Sequence, residues 1–113
     1  MSELKYLLES KLAAVAEIQR LLALEAKCLL EGDEKDISQL VRDKQQALDV
    51  LAEVAQRLEK FLAREGLTAD RAGLSRHIER APDRDELAHF RNRITDELRF
   101  CAELNRMNGA VLE

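Results

Sequence analysis

Leu29-Leu-Glu-Gly-Asp-Glu-Lys-Asp-Ile-Ser-Gln-Leu-Val-Arg-Asp-Lys44 is the stretch on which the fold turns. Upstream of it, Leu4, Leu8, Leu12, Val15, Ile18, Leu22, Ala26 and Leu29 recur at steps of three and four. They share one face of a helix expected over about residues 2–31. Leu7, Leu21 and Cys28 widen that face beyond a coiled-coil seam, as in a helix with more than one neighbour. Gly32-Asp33 breaks the pattern. Asp36 and Gln39 then have the spacing of a capping box and predict a second helix over about 37–65. Its apolar face has three rows: Ile37, Lys44, Leu51 and Leu58; Leu40, Ala47, Val54 and Phe61; Val41, Leu48, Ala55 and Leu62. Gly66 is the expected stop. So short a link forces the two arms, each roughly 40 Å long at 1.5 Å per residue, into an antiparallel hairpin.

Neither arm can hide so wide a stripe inside a hairpin. A third helix is required, or a second copy of the chain. Between Leu67 and Asp83, Thr68 can cap a short helix over 69–80 that carries Ala72, Leu74 and Ile78. Pro82 ends it, because the residue before a proline avoids the helical region. Asp83 and Glu86 form a second capping box and open a third long helix over 84–112. This helix carries Leu87, Phe90, Ile94, Leu98, Cys101, Leu104, Val111 and Leu112. The expected fold is all-α: one domain over 1–113, an antiparallel helical hairpin plus a third long helix, forming an elongated three-helix bundle with a short connecting helix. The third helix should run parallel to the first and fill the open side of the hairpin.

Composition agrees with this class. In 113 residues, 35% are charged and 4% aromatic, with no Trp and one Pro. Sheets draw on more β-branched and aromatic residues. The net charge of −4 opposes a nucleic-acid partner. Eight Arg follow Glu65, but eight acids between Asp70 and Glu103 balance them. No apolar run approaches the ~20 residues that span a bilayer. The start of the chain does not have the form of a signal peptide. The expectation is therefore a cytoplasmic protein, with Cys28 and Cys101 as reduced thiols on apolar faces.

Catalytic chemistry has little to work with. Ser2, Ser10, Ser38 and Ser75 sit in no nucleophile-elbow context, and the four glycines form no phosphate-binding loop. Glu86-Leu87-Ala88-His89 has the Glu-x-x-His step of di-iron bundles, which use it twice together with further glutamates. One half-site does not hold a metal. No enzyme activity and no cofactor are expected. His89 should face solvent and His77 should lie near a loop.

Lys44, Glu97 and Asn108 fall at core-facing phases. They either snorkel to water or fix register, as one polar seam residue can, or they line a groove for another helix. The chain's end, Cys101-Ala-Glu-Leu-Asn-Arg-Met-Asn-Gly-Ala-Val-Leu-Glu113, stays amphipathic with two asparagines embedded. Such a surface completes a core or is offered to a partner. Leu104, Asn105, Met107, Asn108, Val111 and Leu112 are the candidate binding residues.

The hairpin stretch, with Ala47-Leu48 and Leu51 after it, and Leu104-Asn-Arg-Met-Asn-Gly-Ala-Val-Leu112 together resemble the FlgN family of flagellar export chaperones. The second segment is similar to that family's Asn-x-x-Asn-Gly stretch. The resemblance implies an ATP-independent cytoplasmic chaperone that binds hook-filament junction (hook-associated) proteins through their terminal helices. It would prevent premature assembly before type III export, with the export apparatus as a further partner. Family members commonly extend beyond Asn-Gly with a client-binding stretch. This sequence stops at Glu113, so the third helix becomes the expected client surface. A non-catalytic helical adaptor, or a bundle that self-associates into a homodimer through that helix, is the alternative.

Overall fold

The structure is a computed structural model that describes the backbone of residues 3–32 and 34–112 and the side chains of residues 3–32 and 35–109. Four helices follow one another: α1 (Glu3–Glu31), α2 (Glu34–Arg64), α3 (Arg71–Arg80) and α4 (Arg84–Leu112). There is no strand among the described residues. The molecule measures 50 × 23 × 20 Å, in keeping with long helices laid side by side.

Helix α1 is the shared element. It packs along both α2 and α4, whereas α2 and α4 approach one another much less closely. Side-chain pairs fix the directions. Glu3 pairs with Arg64 and Glu25 with Lys44, so α1 and α2 are antiparallel. Lys5 pairs with Glu86 at 2.8 Å, and Asn108 donates to the Leu22 carbonyl at 3.0 Å, so α4 runs parallel to α1. The core has two parts. One joins Leu4, Leu7 and Leu8 to Leu58, Phe61, Leu62, Ile78, Leu87 and Ile94. The other joins Val15, Ile18, Leu21 and Leu22 to Leu40, Ala47 and Cys101. Each fully buried Leu or Ile contributes about 1.5–3 kcal/mol, so these two clusters carry the stability of the fold.

The third apolar row of α2 is only partly used. Leu62 is buried and Ala55 half-buried, while Leu48 and Val41 are exposed. The cause is the offset of α4 toward α1. Only at the lower end does a further element, α3, reach over the row. Leu98, placed at core phase on α4, is also left exposed.

Helix ends depart from the expected caps. Helix α2 begins at Glu34, so Asp36 lies inside the helix and not at its N-cap. Gln39 instead donates to Asp43 and accepts from Arg42 along the helix surface. Helix α3 begins at Arg71, and its cap is Asp70 rather than Thr68. The Asp70 carboxylate accepts from the Gly73 amide at 2.8 Å and from the Thr68 hydroxyl at 2.7 Å. Those bonds hold its carboxyl below the usual range. Glu86 spends its carboxylate on Lys5 and not on a capping box. The expected stops fare differently. Gly32 and Gly66 both take positive φ, 70° and 72°. The Leu67 amide donates to the Leu62 carbonyl and the Gly66 amide to Ala63, closing α2 in a Schellman motif. Ala81, before Pro82, is extended and ends α3. The expected start at Ser2 and the turn residue Asp33 lie outside the described residues.

Gly73 is a glycine for steric reasons. It is buried where α3 folds back on the loop, and a Cβ there would run into the Thr68 carbonyl oxygen. Gly109, within α4, has open space at the corresponding position. Gly73→Ala is therefore expected to cost about 1–3 kcal/mol as overpacking against backbone. Gly109→Ala should instead stabilise by up to about 1 kcal/mol through helix propensity. Thermal unfolding of the two variants checks both signs.

Candidate functional site

Three polar residues meet where α1, α2 and α4 converge. Glu25 and Asn108 are buried, at 8% and 4% exposure. Lys44 of α2 pairs with the Glu25 carboxylate at 2.9 Å. The Asn108 amide of α4 donates to the other Glu25 oxygen at 2.9 Å and to the Leu22 carbonyl. A buried carboxylate is tolerable only when paired and hydrogen-bonded, and Glu25 receives one partner from each neighbouring helix. Of the core-phase polar residues, Lys44 and Asn108 are thus register-fixing. Glu97 is half-exposed, 4.0 Å from Arg93. Glu25 was missed by sequence reasoning. Its signal is a charged residue in the row Leu4, Lys11, Ile18, Glu25, which steps by seven along α1.

The candidate binding residues divide into two sets. Leu104 is half-buried against the upper core, and Asn108 is buried in the polar cluster. Asn105 and Met107 are exposed, Met107 at 51%. The side chains of Val111 and Leu112 lie outside the described residues. Phe100, not singled out from sequence, is also 51% exposed. It precedes Met107 by seven residues and so shares its side of α4. The available signal was an aromatic off the core phase, in a chain holding only three Phe and one Tyr. Arg106 and Glu103 pair beside this strip.

A second feature is a groove of about 280 Å³ between α2 and α4. Leu58, Leu62, Ile94 and Leu98 form its walls, Leu74 of α3 closes one end, and Leu8 and Lys11 of α1 form its floor. Lys11 is half-buried, and among the described residues no carboxylate pairs with it. Burial pushes its ammonium below the ordinary lysine range.

Reactive groups are quiet elsewhere. Cys101 is buried, with its thiol 3.8 Å from the Val15 carbonyl. Burial, helped by the charge of Glu97, pushes that thiol upward and makes it a poor nucleophile. His89 is exposed; His77 stacks edge-on against Phe61 with ring centres 5.1 Å apart. No group of three metal-ligating side chains occurs among the described residues. No helix there is long and apolar enough to cross a membrane.

This arrangement defines a helical scaffold with exposed apolar strips and a carefully partnered interior. The FlgN protein family model matches residues 1–113, and the chain belongs to that family. Among solved structures, a candidate flagella synthesis protein FlgN from Pseudomonas aeruginosa shares the fold with a TM-score of 0.84. It is 23% identical, over 94% of this chain and 83% of that one. No curated protein matches the chain.

Removing one member of the buried cluster should cost more than removing its charge altogether. Lys44→Met leaves the buried Glu25 carboxyl with only Asn108 as a partner, at an expected loss of about 1–3 kcal/mol. Adding Glu25→Gln removes the stranded charge and should recover most of that loss. Urea unfolding of the single and double variants checks the order.

Proposed function

We propose that this protein is a cytoplasmic flagellar type III export chaperone. It binds hook-associated proteins through their terminal helices and holds them from premature assembly until export. The export apparatus is its second partner, and it performs no catalysis. The three long helices act as one elongated bundle, with α3 as the short connecting helix.

The observation that carries this reading is the outer strip of α4. Phe100 and Met107 stand exposed on a helix whose adjacent face, about 100° around the axis, is locked into the core by Cys101 and Asn108. An apolar strip on a firmly docked helix supports capture of an amphipathic client helix, recognised at positions i, i+3, i+4 and i+7. Met, unbranched and polarisable, suits a surface that must release its client. Membership of the FlgN family supports the flagellar context.

Size-exclusion chromatography with light scattering provides the test. The protein alone should elute as a monomer and shift to a stoichiometric complex with a hook-associated protein that retains its terminal helices. Met107→Glu should weaken that complex at least about tenfold, or 1.4 kcal/mol, with helix content intact by circular dichroism. A stable dimer that ignores the client would instead make the strip a self-association surface.

A further inference from the structure

From the groove between α2 and α4 we infer a second docking lane: it accepts an amphipathic helix of the client that places a carboxylate against Lys11. The inference rests on the chaperone reading for the identity of the partner and on the following geometry for the site.

The lane is already half filled. Helix α3 lays Leu74 into its lower end and Ile78 into the core beside it. The chain itself therefore shows that a helix fits against this side of α2 and α4. Above α3 the lane is uncovered among the described residues. Ala55 and Leu98 line the groove directly. Leu48 and Val41 extend the row of Leu62 and Ala55 up α2 at steps of seven. Leu48 is 43% exposed, Val41 53% and Leu98 38%. Apolar side chains on both flanks of a groove are what an i, i+3, i+7 stripe buries.

Charge selects the occupant. Lys11 and Glu25 are the two charged members of one row on α1. Glu25 is answered inside the molecule by Lys44 and Asn108. Lys11 sits half-buried on the groove floor, with no carboxylate paired to it among the described residues. The other charged groups facing the groove are Glu59, Asp70, Arg71 and Arg91. Asp70 is committed to the α3 cap, and Arg91 donates to Ser75 and Asn92. Glu59 lines the groove without pairing to Lys11. A helix carrying an acid within its apolar stripe supplies the missing partner. One carrying a base there would bury a second like charge.

Calorimetric titration of the full chain with the same hook-associated protein tests the lane. Leu48→Glu, Leu98→Glu and Lys11→Glu should each weaken binding about tenfold or more, because each places an acid where the client's acid and apolar stripe must lie. Lys11→Met should bind within a few-fold of wild type but lose part of the salt dependence, since the paired charge is gone. Client helices in which single carboxylates are replaced by lysine should include one that restores binding to Lys11→Glu. These sites are exposed or half-exposed, and unchanged circular dichroism would confirm the fold. Wild-type affinity in Leu48→Glu and Lys11→Glu, with Met107→Glu still defective, would overturn the lane and leave the chaperone reading standing. Failure of the wild type to bind any hook-associated protein would overturn both. A wild-type dimer that Leu48→Glu renders monomeric would assign the lane to a second copy and overturn the client assignment.

Discussion

A carboxylate buried to 8% exposure cannot stand alone, and Glu25 is the constraint on which the arrangement of helices depends. Its two oxygens are taken by Lys44 from α2 and Asn108 from α4. Each of the three is a polar member of a mostly apolar row that steps by seven, the α1 row holding Lys11 as well. The rows are Leu4, Lys11, Ile18, Glu25 on α1; Ile37, Lys44, Leu51, Leu58 on α2; and Leu87, Ile94, Cys101, Asn108 on α4. Sliding any helix by a turn would leave one polar group facing leucines. Apolar contacts are tolerant of such slips; a buried ion pair with an amide is not. The cluster therefore adds register more than stability, and the leucines around it supply the free energy.

Holding α4 by its inner face determines what the outer face offers. Successive residues on a helix are about 100° apart, so fixing Asn108 inward turns Met107 and Phe100 away from α1. The Cys101 thiol at the Val15 carbonyl and the Lys5–Glu86 pair hold the same orientation farther down. A strip presented this way loses little conformational freedom when a partner covers it, because the backbone beneath is already ordered.

The periodicity of the leucines made the long helices and the antiparallel hairpin legible, since burial of a stripe leaves few alternatives at this length. Caps were less legible. Thr68 and Asp70 have the same capping chemistry two residues apart, and only the close approach of Gly73 to the Thr68 carbonyl selects Asp70. Asp36 had a partner at the right spacing, but the helix gains a further turn by starting at Glu34. The two asparagines could not be ranked, because Asn105 and Asn108 differ only in rotation about the helix axis. A neighbour on α1 decides between them. Glu25 and Lys11 are visible only as breaks in a heptad row, and the row of leucines beside them already accounts for an apolar face without them. Phe100 was missed for the opposite reason: an apolar residue off the core phase has no place in a periodicity search.

The exposed part of the α2 stripe completes the physical picture. A free-standing bundle would gain by closing α4 over Leu48 and Val41, burying apolar area worth about 25 cal/mol per Å². Two features stand against that closure. Asn108 and Cys101 bind α4 to α1, and Lys11 would have to be buried without a partner beneath the closed helices. Desolvating that ammonium would cost several kcal/mol, enough to offset the gain from a few leucines. In the proposed lane, the same charge that keeps the groove open in the free protein would become favourable once an acidic helix enters. Lys11 thereby penalises collapse and rewards the correct occupant. A substitution such as Lys11→Met would relieve the first effect and forfeit the second, so free-protein stability and salt-dependent client affinity should move in opposite directions at this one residue.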